Sequence, residues 1–169
     1  MRRQVQRSGT LSPGARKRWP AGAGYIVGHV PIDIPTPAAI NAFFAREFPS
    51  AYEDGNRCVE SGPGLIVSRW TYDPATLRPG GFISGPTQFA LADTAFWFLT
   101  FTVLGLAPMA VTSELTISFL RPAVGGDLLA RAELLRAGKT RITGTVRLWV
   151  DGAPDKLVSH VVGSYMQLG

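Results

Sequence analysis

The sequence predicts an α+β fold in which an antiparallel sheet of about six strands wraps around one long central helix. Three observations predict it. Residues 89–99 hold Phe89, Leu91, Ala92, Ala95, Phe96, Trp97, Phe98 and Leu99, which leaves no polar face, and a helix that is apolar all round belongs inside other structure. Downstream, four runs alternate apolar and polar residues between short turns, the pattern of strands covered on one face. The helix is the only element long and apolar enough to cover that face.

Ahead of these elements, residues 1–25 are rich in Arg, Ser, Gly and Pro and carry no hydrophobic period. They read as a disordered basic tail, with 26–169 as a single domain. Arg2, Arg3, Arg7, Arg16, Lys17 and Arg18 fall in the tail, and no acid precedes Asp33. With six of the 17 cations there, eleven face 12 acids, about −1, over the rest of the chain. The net charge of +5 therefore belongs to the tail and gives the folded part no nucleic-acid face. The acid-free start has the composition of a transit peptide, but its Gly and Pro breaks and missing apolar face favour a tail without a folded role. The one cysteine, Cys58, excludes an internal disulfide framework and a Cys-rich metal site. It reads as an apolar filler and fits a reducing, cytoplasmic setting.

Thr36 and Pro37 open the first helix as cap and first residue. Ile40, Phe43, Phe44 and Phe48 follow at three- and four-residue spacing until Pro49 stops the run, which gives about three amphipathic turns. Residues 57–60 and 65–72 are strands about a turn at 61–64. Gly80 and Gly81 allow backbone shapes that a Cβ forbids, and Ser84-Gly85-Pro86 is a helix start. Asp93 is then a lone acid predicted to lie buried on an apolar helix. A span of 89–111 is long enough to cross a bilayer. The strands that need this helix, and the absence of flanking cation clusters, instead favour a central helix and no membrane span. The last four strands are expected at 111–120, 128–136, 140–150 and 157–167, as one meander. Leu115, Ile117 and Phe119 fall on one face of the first of them, and Thr112 and Glu114 on the other. His160 lies within the last strand, and neither it nor His29 stands at a spacing that suggests a metal.

Three stretches resemble the phenylacetic-acid-degradation family of hotdog-fold acyl-CoA thioesterases. Arg78-Pro-Gly-Gly-Phe-Ile-Ser-Gly-Pro86 stands where that family has Asn-Pro-x-Gly-x-x-His-Gly-Gly. Leu91-Ala-Asp-Thr-Ala95 matches its Leu-Ala-Asp-x-Ala, and residues 111–123 with Gly126-Asp127 match the strand and turn that follow. Order and spacing together carry the likeness, over about two thirds of the chain.

The resemblance implies the hotdog fold and hydrolysis of an acyl- or aroyl-CoA thioester, with no cofactor or metal beyond the coenzyme A of the substrate. It assigns Asp93 as base or nucleophile, the Gly85 N–H as oxyanion donor, and Thr112 as the hydroxyl that holds the attacking water. Ser84 and Arg78 replace the family's His and Asn, on the substrate side, and an ion pair between Arg78 and Asp93 is one expectation. Arg121, Lys139 and Arg141, with Arg136, are expected to meet the phosphates of coenzyme A. Each site is expected between two chains, in a homodimer or homotetramer. A second reading is a hotdog that binds acyl-CoA or an acyl chain without turnover, motivated by Ser84 and Arg78. A dehydratase ranks last, because neither histidine is placed for it.

Overall fold

The computed structural model describes residues 33–167; the expected basic tail and His29 lie outside the described residues. Helix α1 (Pro37–Glu47) starts as its sequence dictates, with the Thr36 hydroxyl accepting from the Ala39 N–H. Pro49 ends it and at once opens a short second helix, α2 (Pro49–Glu53). Strands β1 (Asn56–Gly62) and β2 (Leu65–Trp70) form a hairpin about Pro63-Gly64, where Gly64 takes the left-handed φ of +62° that a Cβ would disfavour. A 3₁₀ turn (Pro74–Thr76) leads into α3 (Gly85–Leu104). The remaining strands are β3 (Ala110–Phe119), β4 (Leu128–Ala137), β5 (Arg141–Val150) and β6 (Ser159–Gln167).

All six strands join one antiparallel sheet in the order β1-β2-β4-β5-β6-β3. This corrects the single four-stranded meander expected from the sequence. Only β4, β5 and β6 follow one another in space. Among the described residues β3 lies beyond β6 at the edge of the sheet, and β4 docks against β2, which closes both halves into one sheet. Local alternation gives strands but not their partners, because pairing is settled by which faces reach the helix.

The sheet curls around α3, whose Leu91, Ala92, Ala95, Phe96, Phe98 and Leu99 are fully buried. The wrap is close: a Cβ on Gly144 of β5 would stand 2.7 Å from the Glu133 carbonyl and 3.2 Å from the Phe96 ring. Helix α1 covers the C-terminal half of α3 with the stripe read from its sequence. Phe44 is fully buried and meets Phe98 edge-on at 5.0 Å, while Phe43 meets Phe101 at 5.5 Å. Each such pair adds about 1 kcal/mol beyond its buried area. Asn41 fastens α1 to β1, accepting from the Cys58 N–H and donating to its carbonyl, both at 2.8 Å. This satisfies the backbone where β1 bulges between Cys58 and Glu60. Cys58 itself is buried, and burial pushes its thiol up to about 12, so it is packing rather than a nucleophile.

None of the described helices is long and apolar enough to cross a membrane. The apolar run of 89–111 instead divides at Gly105, which caps α3 with a φ of +73°.

Candidate active site

The site is built on one stripe of α3. Pro86, Phe89, Ala90, Asp93, Thr94 and Trp97 recur at helical spacing, and all are exposed or half-exposed. This corrects the expectation of a helix buried all round. Asp93 is half-exposed and opens into a cleft of about 440 Å³ walled by Phe48, Trp97, Pro108, Val111, Thr112 and Tyr165. Among the described residues, only one side of α3 is left uncovered, and the acid sits on it.

Two hydroxyls hold the Asp93 carboxylate. Thr112 on β3 donates to Oδ1 at 2.9 Å, and Tyr165 on β6 donates to the same oxygen at 2.6 Å. Among the described residues nothing donates to Oδ2, so that oxygen keeps its lone pairs free. Tyr165 is 3% exposed, and its ring stacks on Phe96 at 5.1 Å with 9° between planes. Burial drives its phenol well above the ordinary tyrosine range, and the negative charge of Asp93 adds to the effect. The group therefore stays a proton donor.

Thr112 reaches Asp93 only because β3 is irregular. Strict alternation sets Thr112 with Glu114 on the outer face. The structure has a bulge between them, with Ser113 as the surplus residue and its hydroxyl bonded to Ser164 at 2.8 Å. One extra residue flips all that precedes it to the other face. Thr112 thus lies opposite Tyr165, as Leu115 lies opposite Gly163 and Ile117 opposite Val161. Tyr165 was missed in the sequence reading. The signal lay in the inward register of the last strand, where it follows Ser159, Val161 and Gly163 as the one large polar group.

The other end of the stripe is backbone. Ser84 caps α3, its Oγ accepting from the Thr87 N–H at 3.1 Å and pairing with the Thr87 hydroxyl at 2.8 Å. Gly85 is the first helical residue, and Pro86 has no N–H. Gly85 therefore carries the leading N–H of a helix start, where fixed dipoles favour negative charge. A Cβ on Gly85 would come within 3.1 Å of the Phe119 ring. Eight residues at about 1.5 Å each put Gly85 about 12 Å from Asp93 along one helix.

The remaining predicted residues are not brought to one place. Arg78 is exposed and pairs through its backbone with Phe82; among the described residues it forms no ion pair with Asp93, against that expectation. The basic cluster is split. Arg121 follows the end of β3 and donates to the Leu157 carbonyl at 2.6 Å. Lys139 and Arg141 lie at the β4–β5 hairpin, with Arg141 opposite Met166. The seven residues of β6 between those levels span about 23 Å. Arg121 shares the Gly85 end and Arg141 the Asp93 end. His160 is half-exposed opposite Ser118, and among the described residues no group of His, Cys, Asp or Glu could hold a metal.

An antiparallel sheet curled on one long helix in this strand order is the hotdog fold, here with a carboxylate on the half-exposed stripe of the helix. Residues 80–154, from the glycine pair before α3 to the turn after β5, match the thioesterase superfamily. Three solved structures agree. A candidate thioesterase from Silicibacter sp. is 27% identical with a TM-score of 0.73, over 85% of this chain and 96% of that one. The PaaI protein of the E. coli phenylacetic acid degradation operon is 27% identical with a TM-score of 0.66, over 76% and 91%. A candidate thioesterase from Ralstonia eutropha, related to phenylacetic acid degradation, is 27% identical with a TM-score of 0.64, over 75% and 98%. No curated protein matches the sequence.

Proposed function

We propose that the protein hydrolyses an acyl- or aroyl-CoA thioester to the free acid and coenzyme A, with Asp93 as its general base. The observation that carries this reading is the Asp93 carboxylate, held through Oδ1 with no donor to Oδ2 among the described residues, in the wall of a cleft it shares with Phe48, Trp97, Pro108 and Val111. Water bound at Oδ2 gives up a proton as its oxygen attacks the thioester carbonyl. The new oxyanion is received by a helix-start N–H, that of Gly85. Collapse breaks the C–S bond, and the proton held on Asp93 neutralises the leaving thiolate. A nucleophilic Asp93, forming a transient mixed anhydride through Oδ2, uses the same geometry. No cofactor enters the scheme, since coenzyme A arrives with the substrate.

Gly85 and Asp93 of one chain stand too far apart for one carbonyl carbon to meet both. A second copy, laid antiparallel on the open α3 stripe, supplies the missing half. The surface for it is apolar: Phe89, Val111, Phe119 and Leu120 are exposed around α3 and the free β3 edge, and such edges are normally covered. A homodimer is the working unit, and a tetramer would pair two of them. Phe48, Trp97, Pro108 and Val111 suit an apolar or aromatic acyl group, and Arg121 stands at the oxyanion end as a phosphate partner.

Binding without turnover is the competing reading. It draws on Ser84, whose hydroxyl is committed to capping α3. Purified protein is assayed for thiol release from benzoyl-, phenylacetyl- and hexanoyl-CoA beside Asp93→Asn. Turnover that the substitution abolishes supports hydrolysis; saturable binding with no thiol released by either form refutes it.

A further inference from the structure

The geometry points to Tyr165 as a positioning residue for Asp93, one that selects which carboxylate oxygen reacts; this rests on the hydrolase reading above. Three features set it apart from an ordinary core tyrosine. First, its phenol donates to Asp93 Oδ1 at 2.6 Å, with the Asp93 carbonyl 3.0 Å away. Second, the ring cannot swing, being stacked on Phe96 and all but fully buried. Third, Thr112 arrives at the same oxygen from the neighbouring strand.

Two donors on Oδ1 fix the rotation of the carboxylate. They also keep the water's proton from landing there, so Oδ2 is left to take it. After that transfer Oδ1 is the carbonyl oxygen of a neutral acid and accepts the same two hydrogen bonds. Nothing around Asp93 rearranges between its two states, which is what electrostatic preorganisation requires. The thioester chemistry is unchanged by this assignment; Tyr165 neither gains nor loses a proton.

Tyr165→Phe keeps the stack on Phe96 and deletes only the hydroxyl, so it tests the role without opening a cavity. In the full chain, kcat on benzoyl-CoA should fall about 10- to 100-fold with KM within about twofold of wild type. The same change placed on Asp93→Asn should cost nothing further, because it acts through Asp93. A kcat kept within twofold in an active wild-type background overturns the inference, as does an equal loss in the Asp93→Asn background. If wild type releases no thiol from any thioester tried, the hydrolase reading falls and takes this catalytic role with it. That outcome is distinguishable, because the urea midpoints of the single and double variants report the Tyr165–Asp93 contact without turnover. Additive midpoint changes there overturn the contact itself.

Discussion

The two ends of the open α3 stripe are built on different principles. At the Asp93 end, side chains from α3, β3 and β6 converge and satisfy one another, with a bulge to bring the last of them round. At the Gly85 end the group that the proposed reaction draws on is a peptide N–H, at a residue set apart by what it lacks. The first end needs tertiary structure to exist at all; the second needs only a capped helix start. The difference teaches where each end is vulnerable. The first tolerates little change of side chain, and the second little change of backbone.

Predictions follow that contrast in order of size. Asp93→Asn removes the proposed base and should lower kcat by about 10³-fold or more, with coenzyme A affinity preserved; thiol release and calorimetry measure the two separately. Gly85→Pro deletes the N–H at the first helical position and should cost about 10²- to 10³-fold in kcat, read against Gly85→Ala, which sets the same Cβ near the Phe119 ring but keeps the N–H. If Gly85→Pro instead leaves kcat unchanged while the protein stays folded, the oxyanion assignment fails. Thr112→Val keeps the shape and loses one of two donors to Oδ1, for a loss of about tenfold; a double-mutant cycle with Tyr165→Phe should show coupling.

The smallest effect concerns the sheet end beneath Gly85. There Arg69 bridges Asp127 at 2.6 Å and Asp151 at 2.9 Å, tying β2 to the starts and ends of its neighbours. The Tyr72 N–H, then Arg69, hold the Asp127 carboxyl below the ordinary carboxylate range. A depressed value means the stabilisation is complete above about pH 4 and is lost as pH falls through the lowered value. Asp127→Asn should cost about 1 kcal/mol at pH 7, in a partly exposed setting, and flatten that acid loss. Urea unfolding at pH 7 and pH 3 measures both.

The same contrast explains what could be read from the chain alone. The Gly85 end was legible because helix starts are local: Ser84, Gly85 and Pro86 state cap, first residue and missing N–H in three letters. Helix α1 was legible for the same reason. At the Asp93 end the acid stood out, but its surroundings did not. Thr112 was set on the wrong face, since a bulge leaves no local mark in an alternating pattern. Tyr165 was invisible as a site residue, because its meeting with Asp93 depends on β3 lying beyond β6, and strand order is decided by the whole sheet. The half-exposure of Asp93 was hidden too: an apolar stripe left open on a helix reads in sequence like one that is buried.

The bulge at Ser113 has a consequence best put as parity. Three steps separate Thr112 from Leu115, an odd count, and in a regular strand odd steps end on opposite faces. The chain makes the count even by leaving Ser113 out of the alternation. Excising Ser113 would therefore leave Thr112 facing Tyr165 and Asp93, whereas ironing the bulge flat with all ten residues kept would carry Thr112 to the outside. On β3, the arithmetic of the strand decides the site as much as the letters in it.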